Sequence, residues 1–504
     1  MTDVPALVSA RITPDDPRYE SLLRGTNHRF VGKPDCVRVV TTTEQVVEAV
    51  NEAVAEGRRI AVRSGGHGLE NFIANPEVKV LLDISEMTGV YYDSERRAFA
   101  IEAGATLGHV YRVLFKGWGV TVPAGMSPEV GVGGHFAGGG FGPLSRSHGA
   151  VVDYLYAVEV VVVGEDGRAK AVTATREPDD PHRELWWAHT GGGGGNFGVV
   201  TRYWVRSPGA TSEDPAELLP RAPAATLSGV AIWSWDTIDQ AGFTTMLRNF
   251  GDWCEKNSDP DSPARHLFPW FHGTHRSVPP GLMAGAQVDA GAPGAEELMA
   301  GFLDAVAAGV GAEPVVRNLQ TQPWLYAAAY PGYGDPGNPD MRRFKIKAAY
   351  LRKGYTDRQI EVIHGHLAGE AYNPTQLLLV GYGGRVNAVA PDATATAQRD
   401  SILKAAHLGA WSSPDDDEAN IALIREMYRD VYAHSGGVPA PDEHSDGSYI
   451  NYPDADLADP ALNTSGIPWH HLYYKDNYPR LQQVKRRYDP RDEFRHALSI
   501  RLPD

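Results

Sequence analysis

The first 205 residues alternate between two patterns of apolar and polar positions. Residues 43–50 repeat apolar side chains with helical periodicity behind a threonine, which predicts an amphipathic helix with a threonine cap. Short apolar segments bounded by turn residues predict strands; they are 59–63, 79–84, 98–103, 157–163 and 198–205. The alternation of the two patterns predicts helices packed on sheets.

A change in composition marks the end of this pattern. Residues 208–223 are rich in proline, alanine and glutamate, which indicates a crossing between domains. Beyond this segment, 229–233 predicts a strand and 356–368 predicts a helix with Thr356 as its cap. Residues 478–499 predict a helix that a proline near its middle ends. Because 504 residues exceed the usual size of a single hydrophobic core, two domains are expected.

Charge and hydropathy exclude several classes of partner. The chain has 47 Lys and Arg against 63 Asp and Glu, a formal net charge of −16. This charge argues against a nucleic acid, whose phosphates would be repelled, and against an anionic membrane surface. No segment approaches the ~18 consecutive apolar residues of a membrane helix, and residues 1–30 lack the apolar core of a secretory signal. The sequence therefore predicts a cytoplasmic protein, and it carries no indication of the oligomeric state.

No metal site is expected. Cys36 and Cys254 are the only cysteines, too few for a cysteine metal site or a disulfide framework. The pairs His364 with His366 and His470 with His471 lack the helical spacing of zinc ligands.

Three glycine clusters carry the candidate chemistry. They occupy residues 63–68, 131–142 and 191–198, each near the end of a predicted strand. Glycine has no Cβ, so backbone N–H groups can approach a ligand closely and form concave sites for anions. None of the clusters is a P-loop, and the pattern of a Rossmann nucleotide site is weak. Tight turns alone would explain one cluster, but three favour a large phosphate-containing cofactor.

These clusters resemble those of a known family. Residues 62–68, 130–142 and 191–200, together with Tyr488-Asp489-Pro490 and Phe494-Arg495, are similar to the berberine-bridge-enzyme-like flavin oxidases of the vanillyl-alcohol-oxidase superfamily. The resemblance implies an α+β fold of two domains. A PCMH-type FAD-binding domain would occupy 1–208, and a substrate-binding domain with an antiparallel sheet and helices would occupy 209–445. A C-terminal segment, 446–504, would return to the FAD domain.

The resemblance also assigns the residues that hold FAD. It implies that His67 is bonded covalently to the 8α carbon of the flavin, although a lone histidine in a glycine loop is more often a hydrogen-bonding residue. The other residues expected at the cofactor are Arg63, Ser64, Gly65, Gly66, Gly68, Ser127, Val130, Gly131, Gly133, Gly134, His135, Gly138, Gly139, Gly140, Gly142, Gly198, Val200, Tyr449 and Asn451.

Two of these positions bear on the chemistry of the flavin. Many relatives form a second bond, from a cysteine to flavin C6, but this chain has Ser127 at that position. Serine is a far weaker nucleophile than a thiolate at neutral pH, so FAD covalently bound through His67 only is predicted. Val130 lies where a small residue accompanies oxidases and a bulkier one accompanies dehydrogenases, which favours an oxidase. The alternative is that Val130 is simply a strand residue.

Tyr452 is the candidate catalytic base. The segment Tyr449-Ile450-Asn451-Tyr452 resembles a family signature whose second tyrosine points at the flavin. Because an ordinary tyrosine has a pKa near ~10, such a base needs a nearby positive charge or hydrogen-bond donors. A buried core tyrosine is the alternative. Several relatives carry a second polar residue two positions before a Tyr-Gly-Gly, where this chain has Val380, so a two-tyrosine mechanism does not carry over directly.

The predicted activity is that of an FAD-dependent oxidase. It would remove a hydride from a hydroxyl-bearing or ring-containing small molecule, such as a sugar or a glycosylated natural product. It would then pass the electrons to molecular oxygen with release of peroxide. A flavin dehydrogenase or an oxidative cyclase that uses oxygen poorly is the alternative. Five tryptophans of the middle region are candidates for an aromatic platform under a ring substrate or, individually, for core packing; they are Trp233, Trp235, Trp270, Trp324 and Trp411.

Overall fold

The computed structural model describes residues 9–329 and 343–504. Residues 1–8 and 330–342, which fall in the predicted N-terminal and middle domains, lie outside the described residues. The helices are α1 (Thr43–Ala55), α2 (Leu107–Trp118), α3 (Val132–Ala137), α4 (Ser145–His148), α5 (Arg183–Ala188), α6 (Gln240–Lys256), α7 (Ala295–Ala307), α8 (Trp324–Ala329), α9 (Asp357–Leu367), α10 (Asp417–Val431), α11 (Trp469–Tyr474) and α12 (Tyr478–Tyr488). The strands are β1 (Ala10–Ile12), β2 (Cys36–Val39), β3 (Ile60–Arg63), β4 (Val80–Asp83), β5 (Val90–Asp93), β6 (Ala98–Glu102), β7 (Leu155–Val163), β8 (Ala169–Thr175), β9 (Val199–Val205), β10 (Ala225–Trp233), β11 (Phe268–Thr274), β12 (Leu282–Asp289), β13 (Val316–Pro323), β14 (Arg343–Leu351), β15 (Gln376–Gly381) and β16 (Leu403–Trp411).

The strands form three sheets. The first is a four-stranded sheet in the order β1-β2-β4-β3, and the second is a five-stranded sheet in the order β5-β6-β9-β7-β8. The third is a seven-stranded antiparallel sheet in the order β13-β10-β12-β11-β15-β16-β14. The first two use only residues up to Val205, and the third uses only residues between 225 and 411.

The local patterns in the sequence account for these elements. All of the predicted strands form, and each end lies within four residues of its predicted position. The side chain of Thr42 caps α1 by accepting a hydrogen bond from the amide of Gln45. Thr356 caps α9 in the same way, as predicted, through the amide of Gln359 at 3.3 Å. Helix α12 ends at Tyr488, just before the Asp489-Pro490 sequence that cannot continue it.

The two faces of the seven-stranded sheet differ. One face packs against α6, α7, α9 and α10 in the main hydrophobic core. Alternate side chains along each strand point to the other face, and many of them are only half-buried, for example Ser228 and Val230 in β10. One row of paired residues crosses that open face from β14 to β10; it consists of Tyr350, Lys404, Val380, Trp270, Gly285 and Val230.

The C-terminal segment returns to the first part of the chain. Helix α12 packs on α5, and the buried ammonium of Lys485 donates to the backbone oxygen of Asn196 at 2.8 Å. The same ammonium bonds the carboxylate of Asp489 at 2.6 Å, and the amide of Ile500 donates to the side chain of Asn196 at 2.8 Å. Within residues 9–329 and 343–504, no helix is both long enough and apolar enough to cross a bilayer.

Candidate cofactor and active site

The first two glycine clusters lie backbone against backbone. A Cβ placed on Gly65 would strike the amide nitrogen of Gly131, and one placed on Gly131 would strike that of Gly65. The hydroxyl of Ser64 donates to the backbone oxygen of Ala103 at 2.6 Å. These glycines are required because only a residue without a side chain allows the two loops to approach so closely.

The remaining predicted glycines divide into two groups. Most press against other parts of the protein: a Cβ would strike neighbouring atoms at Gly133, Gly138, Gly140, Gly142 and Gly198. By contrast, Gly134 is exposed and no heavy atom lies within 4 Å of where its Cβ would be. The exposed Gly194 of the third cluster faces it, with 3.9 Å between its Cβ position and the Cα of Gly134. The second and third clusters thus approach each other at these two glycines, where both expose bare backbone.

The third cluster and the C-terminal motif close this cradle. The side-chain amide of Asn196 donates to the backbone oxygens of Gly192 and Gly193 at 3.0 Å each. A Cβ on Gly193 would lie 3.1 Å from a side-chain carbon of Ile450, and one on Gly138 would strike Asn451. The segment 449–452 is therefore held directly against two of the three clusters.

Asn451 and Tyr449 fix the geometry of that segment. The amide of Asn451 donates to the backbone oxygen of His135 at 2.8 Å and to the hydroxyl of Tyr449 at 3.0 Å. The same hydroxyl accepts from the amide of Gly140 at 3.1 Å. His135 in turn accepts, through Nε2, from the amide of Gly125 at 3.0 Å. Burial lowers the pKa of His135 to about 3, so the ring is a neutral acceptor in this network.

His67 is placed differently from the other predicted cofactor residues. Its ring is half-buried and makes no hydrogen bond to any residue in 9–329 or 343–504. Burial lowers its pKa, and the nearby Glu129 opposes this shift only in part. The imidazole is therefore neutral at pH 7, with a nitrogen lone pair available for bonding. In contrast, the guanidinium of Arg63 is engaged in an ion pair with Asp83 at 2.5 Å and a bond to the backbone oxygen of Leu22, so it anchors the loop.

Ser127 and Val130 occupy one tight turn beside these loops. The amide of Val130 donates to the backbone oxygen of Ser127 at 3.2 Å, and both side chains are half-buried. The backbone oxygen of Val130 accepts from the amide of Leu107 at the start of α2. Val200, which follows the third cluster in β9, is also half-buried.

Tyr452 lies beside a cluster of aromatic rings from both halves of the chain. Its ring centroid is 5.3 Å from that of Tyr449, and the two rings are edge to face. The ring of Tyr452 is half-buried, and its hydroxyl makes no hydrogen bond within the part of the chain that the structure describes. Burial raises the pKa of Tyr452, so the hydroxyl is protonated in the absence of a further charge.

A buried lysine lies at the centre of this ring cluster. The ammonium nitrogen of Lys404 lies 3.4 Å from the ring centroids of Phe141 and Tyr449, and 4.7 and 4.6 Å from those of Tyr350 and Tyr382. Burial, with Arg399 nearby, lowers its pKa well below the ordinary value. A negative charge that forms beside this lysine would favour its protonated form, and the ring faces attract that cation without neutralising it.

Sequence reasoning missed Lys404 and the rings around it. The available signal was a lysine in the apolar strand 403–411, where a charged residue requires a specific environment. Val380, noted as a departure from the family pattern, is the cross-strand neighbour of Lys404. Tyr382, two residues further on, reaches the cluster instead, and its hydroxyl donates to the backbone oxygen of Gln398 at 3.3 Å.

A buried ionic cluster joins the loop after His67 to the loop after Tyr452. Asp454 accepts from the ammonium groups of Lys345, at 2.6 Å, and Lys347. Lys345 also lies 3.5 Å from Glu70, which accepts a hydrogen bond from the amide of Ala455 at 3.0 Å. Burial lowers the pKa of Lys345, but the surrounding carboxylates outweigh this effect and raise it overall. The strand β14 therefore bridges the two loops through its lysines.

A separate cavity of about 360 Å³ lies between the two halves of the chain. Its walls include Tyr111 and Met126 on one side and Gln287 and Trp324 on the other. Within the described residues its walls include the candidate tryptophan Trp324 but none of the predicted cofactor or catalytic residues, although Met126 directly precedes Ser127. It is therefore distinct from the ring cluster around Lys404.

Comparison with known proteins gives the following matches. Residues 34–172 match the family described as FAD binding domain, and residues 448–501 match the family described as berberine and berberine like. The aclacinomycin-N/aclacinomycin-A oxidase of Streptomyces galilaeus is 53% identical over 489 residues, which cover 97% of this chain and 89% of that protein. The hexose oxidase of Chondrus crispus is 32% identical, over 97% of this chain and 94% of its own. A solved glycopeptide hexose oxidase complexed with teicoplanin is 50% identical, with a TM-score of 0.94 over 99% of this chain and 100% of that one.

Proposed function

We propose that this chain oxidises a hydroxyl-bearing carbon on a sugar ring of a larger natural product. The chain belongs to the berberine-bridge-enzyme-like family of FAD-linked oxidoreductases. Membership confirms the resemblance that the glycine clusters indicated, the α+β fold class and FAD as the cofactor. The domain boundaries near residues 208 and 445 remain our proposal. The sheets support the first boundary, because within residues 9–329 and 343–504 no sheet combines strands from both sides of residue 208. The packing of α12 on α5 supports the return of the C-terminal segment.

The relatives support the choice of substrate. Two of them are named hexose oxidases, and one of these is solved with teicoplanin, a glycopeptide. A third is named an oxidase of aclacinomycin. A sugar hydroxyl on a large molecule is consistent with all three names, and the half-buried open face of the seven-stranded sheet offers room for such a substrate.

The cradle fits FAD. Exposed bare backbone at Gly134 and Gly194 allows a diphosphate to approach amide groups, and His67 offers a neutral nitrogen without a hydrogen-bond partner among the described residues. We infer that His67 carries the flavin covalently and that Ser127 does not add a second bond. Bound FAD supplies the hydride acceptor and passes electrons to oxygen, with release of hydrogen peroxide.

Tyr452 is the base in this proposal. The observation that carries it is that the Tyr452 hydroxyl has no hydrogen-bond partner within the described residues, on a ring that packs against Tyr449, which in turn contacts the buried Lys404. It takes the proton from the substrate hydroxyl while a hydride leaves the carbon that bears this hydroxyl. Burial raises the pKa of Tyr452 and so disfavours the ionised base. Lys404 opposes this effect, because a tyrosinate and an ammonium within one ring cluster stabilise each other's charged forms. Tyr449 and Asn451 keep the segment in position.

The cofactor part of the proposal is tested by acid precipitation of the purified holoenzyme. We expect yellow colour in the pellet, with the flavin mass on the peptide containing His67 and none on that containing Ser127. A His67→Ala variant should release all of its flavin, whereas Ser127→Ala should retain it. Colour that washes out of the wild-type pellet would contradict a covalent bond.

The electron acceptor is tested by stopped-flow reoxidation. As an oxidase, the reduced enzyme should be reoxidised by dissolved oxygen at least as fast as it turns over, with one peroxide formed per sugar oxidised. Val130→Leu should slow this step without affecting reduction by the sugar. Reoxidation by oxygen that is much slower than turnover with an artificial acceptor would instead support the dehydrogenase alternative.

A further inference from the structure

One of the five tryptophans of the middle region is unlike the others. Trp233, Trp235, Trp324 and Trp411 are buried, and three of them donate their indole N–H to a protein oxygen. Trp270 is only half-buried, and in the described part of the chain neither its N–H nor its ring has a polar or aromatic partner. Core packing therefore accounts for Trp233, Trp235 and Trp411. Trp324 packs edge to face against Tyr111 in the wall of the separate cavity, so Trp270 alone of the five lacks such contacts within the described residues.

The indole of Trp270 lies over the neighbouring strand on the open face of the sheet. A Cβ on Gly285, its cross-strand partner, would strike ring carbon Cζ2 and lie 2.7 Å from Cε2. The ring therefore rests on the bare backbone of β12. A side chain at position 285 would displace the indole, so the glycine is what allows the ring to lie against the strand, with the part that is not buried open to a ligand.

Trp270 lies in the same cross-strand row as Lys404. Lys404 pairs with Val380, and Val380 pairs with Trp270. Two strand spacings make about 10 Å between the backbones of Lys404 and Trp270. Val380 stands between them in the row, and because its side chain is apolar the row places no polar group between the two.

A polar pair borders the ring on the same face. Nε2 of His272, two residues after Trp270, and the side-chain oxygen of Gln376 are 2.8 Å apart. Both side chains are half-buried, and burial lowers the pKa of His272. With that bond made, the amide nitrogen of Gln376 and Nδ1 of His272 have no further partner in residues 9–329 and 343–504. They are able to bond hydroxyl groups of a ligand on this face of the sheet.

We propose that Trp270, laid across Gly285, is a stacking subsite for a second ring of the substrate, joined to the ring that is oxidised near Tyr452. The ligand has a flat apolar face, which both a pyranose and an aromatic ring possess, and hydroxyl groups at its edge for His272 and Gln376. This inference rests on the proposed function and extends it to a two-ring substrate. Stacking on an indole suits such a ligand because it buries apolar area at little cost in side-chain entropy.

The test compares one-ring and two-ring substrates of the flavin-loaded enzyme. The hexose that the wild type oxidises best is supplied as its methyl glycoside, as its phenyl glycoside and as a disaccharide. Trp270→Ala should raise KM for a two-ring substrate at least about tenfold and that for the methyl glycoside less than about twofold. For Trp270→Phe, the KM for a two-ring substrate should lie between those of the wild type and Trp270→Ala. A larger effect on the phenyl glycoside identifies an aromatic ring as the natural occupant, and a larger effect on the disaccharide identifies a sugar.

Controls separate this subsite from the reaction itself. Tyr372→Ala removes an exposed ring and should leave every KM unchanged. Flavin absorbance and thermal midpoint, measured on each variant, show whether Trp270→Ala is folded; if it is not, Trp270→Phe and Trp270→Leu carry the comparison. Equal changes for one-ring and two-ring substrates, or equal wild-type KM values for them, would overturn the subsite. If the wild type oxidises no hexose derivative at all, the proposed function itself fails.

Discussion

Asp454→Asn should destabilise the protein more than any nearby surface change. Asp454 lies two residues after Tyr452, its side chain is 1% exposed, and it accepts from two buried lysines, Lys345 and Lys347. Asparagine has nearly the same shape but no charge, so the substitution removes one anion without creating a cavity.

The magnitude follows from the charges in the cluster. Three cations, from Lys345, Lys347 and Arg425, face three anions, from Glu70, Asp454 and Asp456. Removing one anion leaves a buried positive charge without compensation, which typically costs about 3–5 kcal/mol. For a domain of roughly 150–250 residues each kcal/mol lowers Tm by about 2–4 °C, so a decrease of about 6–20 °C is expected.

The assay is the thermal midpoint of the holoenzyme at pH 7, followed by circular dichroism and flavin fluorescence. The matched control is Glu361→Gln, which breaks the exposed pair with Arg358 and should cost less than about 1 kcal/mol. The double variant Asp454→Asn with Lys347→Met restores the charge balance and should recover at least half of the loss. A midpoint for Asp454→Asn within about 2 °C of the wild type, or a double variant less stable than either single one, would refute the reasoning.

Three further predictions concern the chemistry and the pH dependence. Tyr452→Phe should lower kcat about 10²–10⁴-fold with KM nearly unchanged, because a base acts in the transition state; a change confined to KM in steady-state assays would exclude that role. Ser127→Cys should place a second flavin bond on its peptide, detected by peptide mass, since a thiolate is the competent nucleophile; an unmodified cysteine in fully loaded enzyme would contradict the assigned position. Burial lowers the pKa of His189 from 6.5 to about 4, so between these values the unfolded chain binds a proton that the folded chain does not. Acidification from pH 6.5 towards 4 should therefore cost the wild type about 1.4 kcal/mol per pH unit through this group, and His189→Gln should show a shallower slope in chemical denaturation; equal slopes would refute this.

Elements that depend on local sequence could be predicted well. The strands and the caps of α1 and α9 follow from apolar periodicity and from single threonines, which act within a few residues. The glycine clusters likewise indicated a large phosphate-containing cofactor, because the need for close backbone approach leaves its signal in consecutive residues; the resemblance to the family then named it as FAD.

The environment of the base could not be predicted in this way. The local sequence shows Lys404 only as a lysine in an apolar strand. Its environment is formed by the rings of Phe141, Tyr350 and Tyr449, which are far away in the sequence. The same holds for Trp270, whose exposure depends on a glycine in the neighbouring strand. Which predicted glycines face open space and which support another loop is equally a property of tertiary packing.

The anchoring of the tail by Lys485 has a consequence for biosynthesis. His67 is synthesised before Tyr452 and before the lysine that secures Asn196. Because domains begin to fold during synthesis, a nascent polypeptide that has not reached Tyr452 holds a nucleotide cradle with one wall missing. A product truncated before Tyr452 should therefore accumulate without flavin.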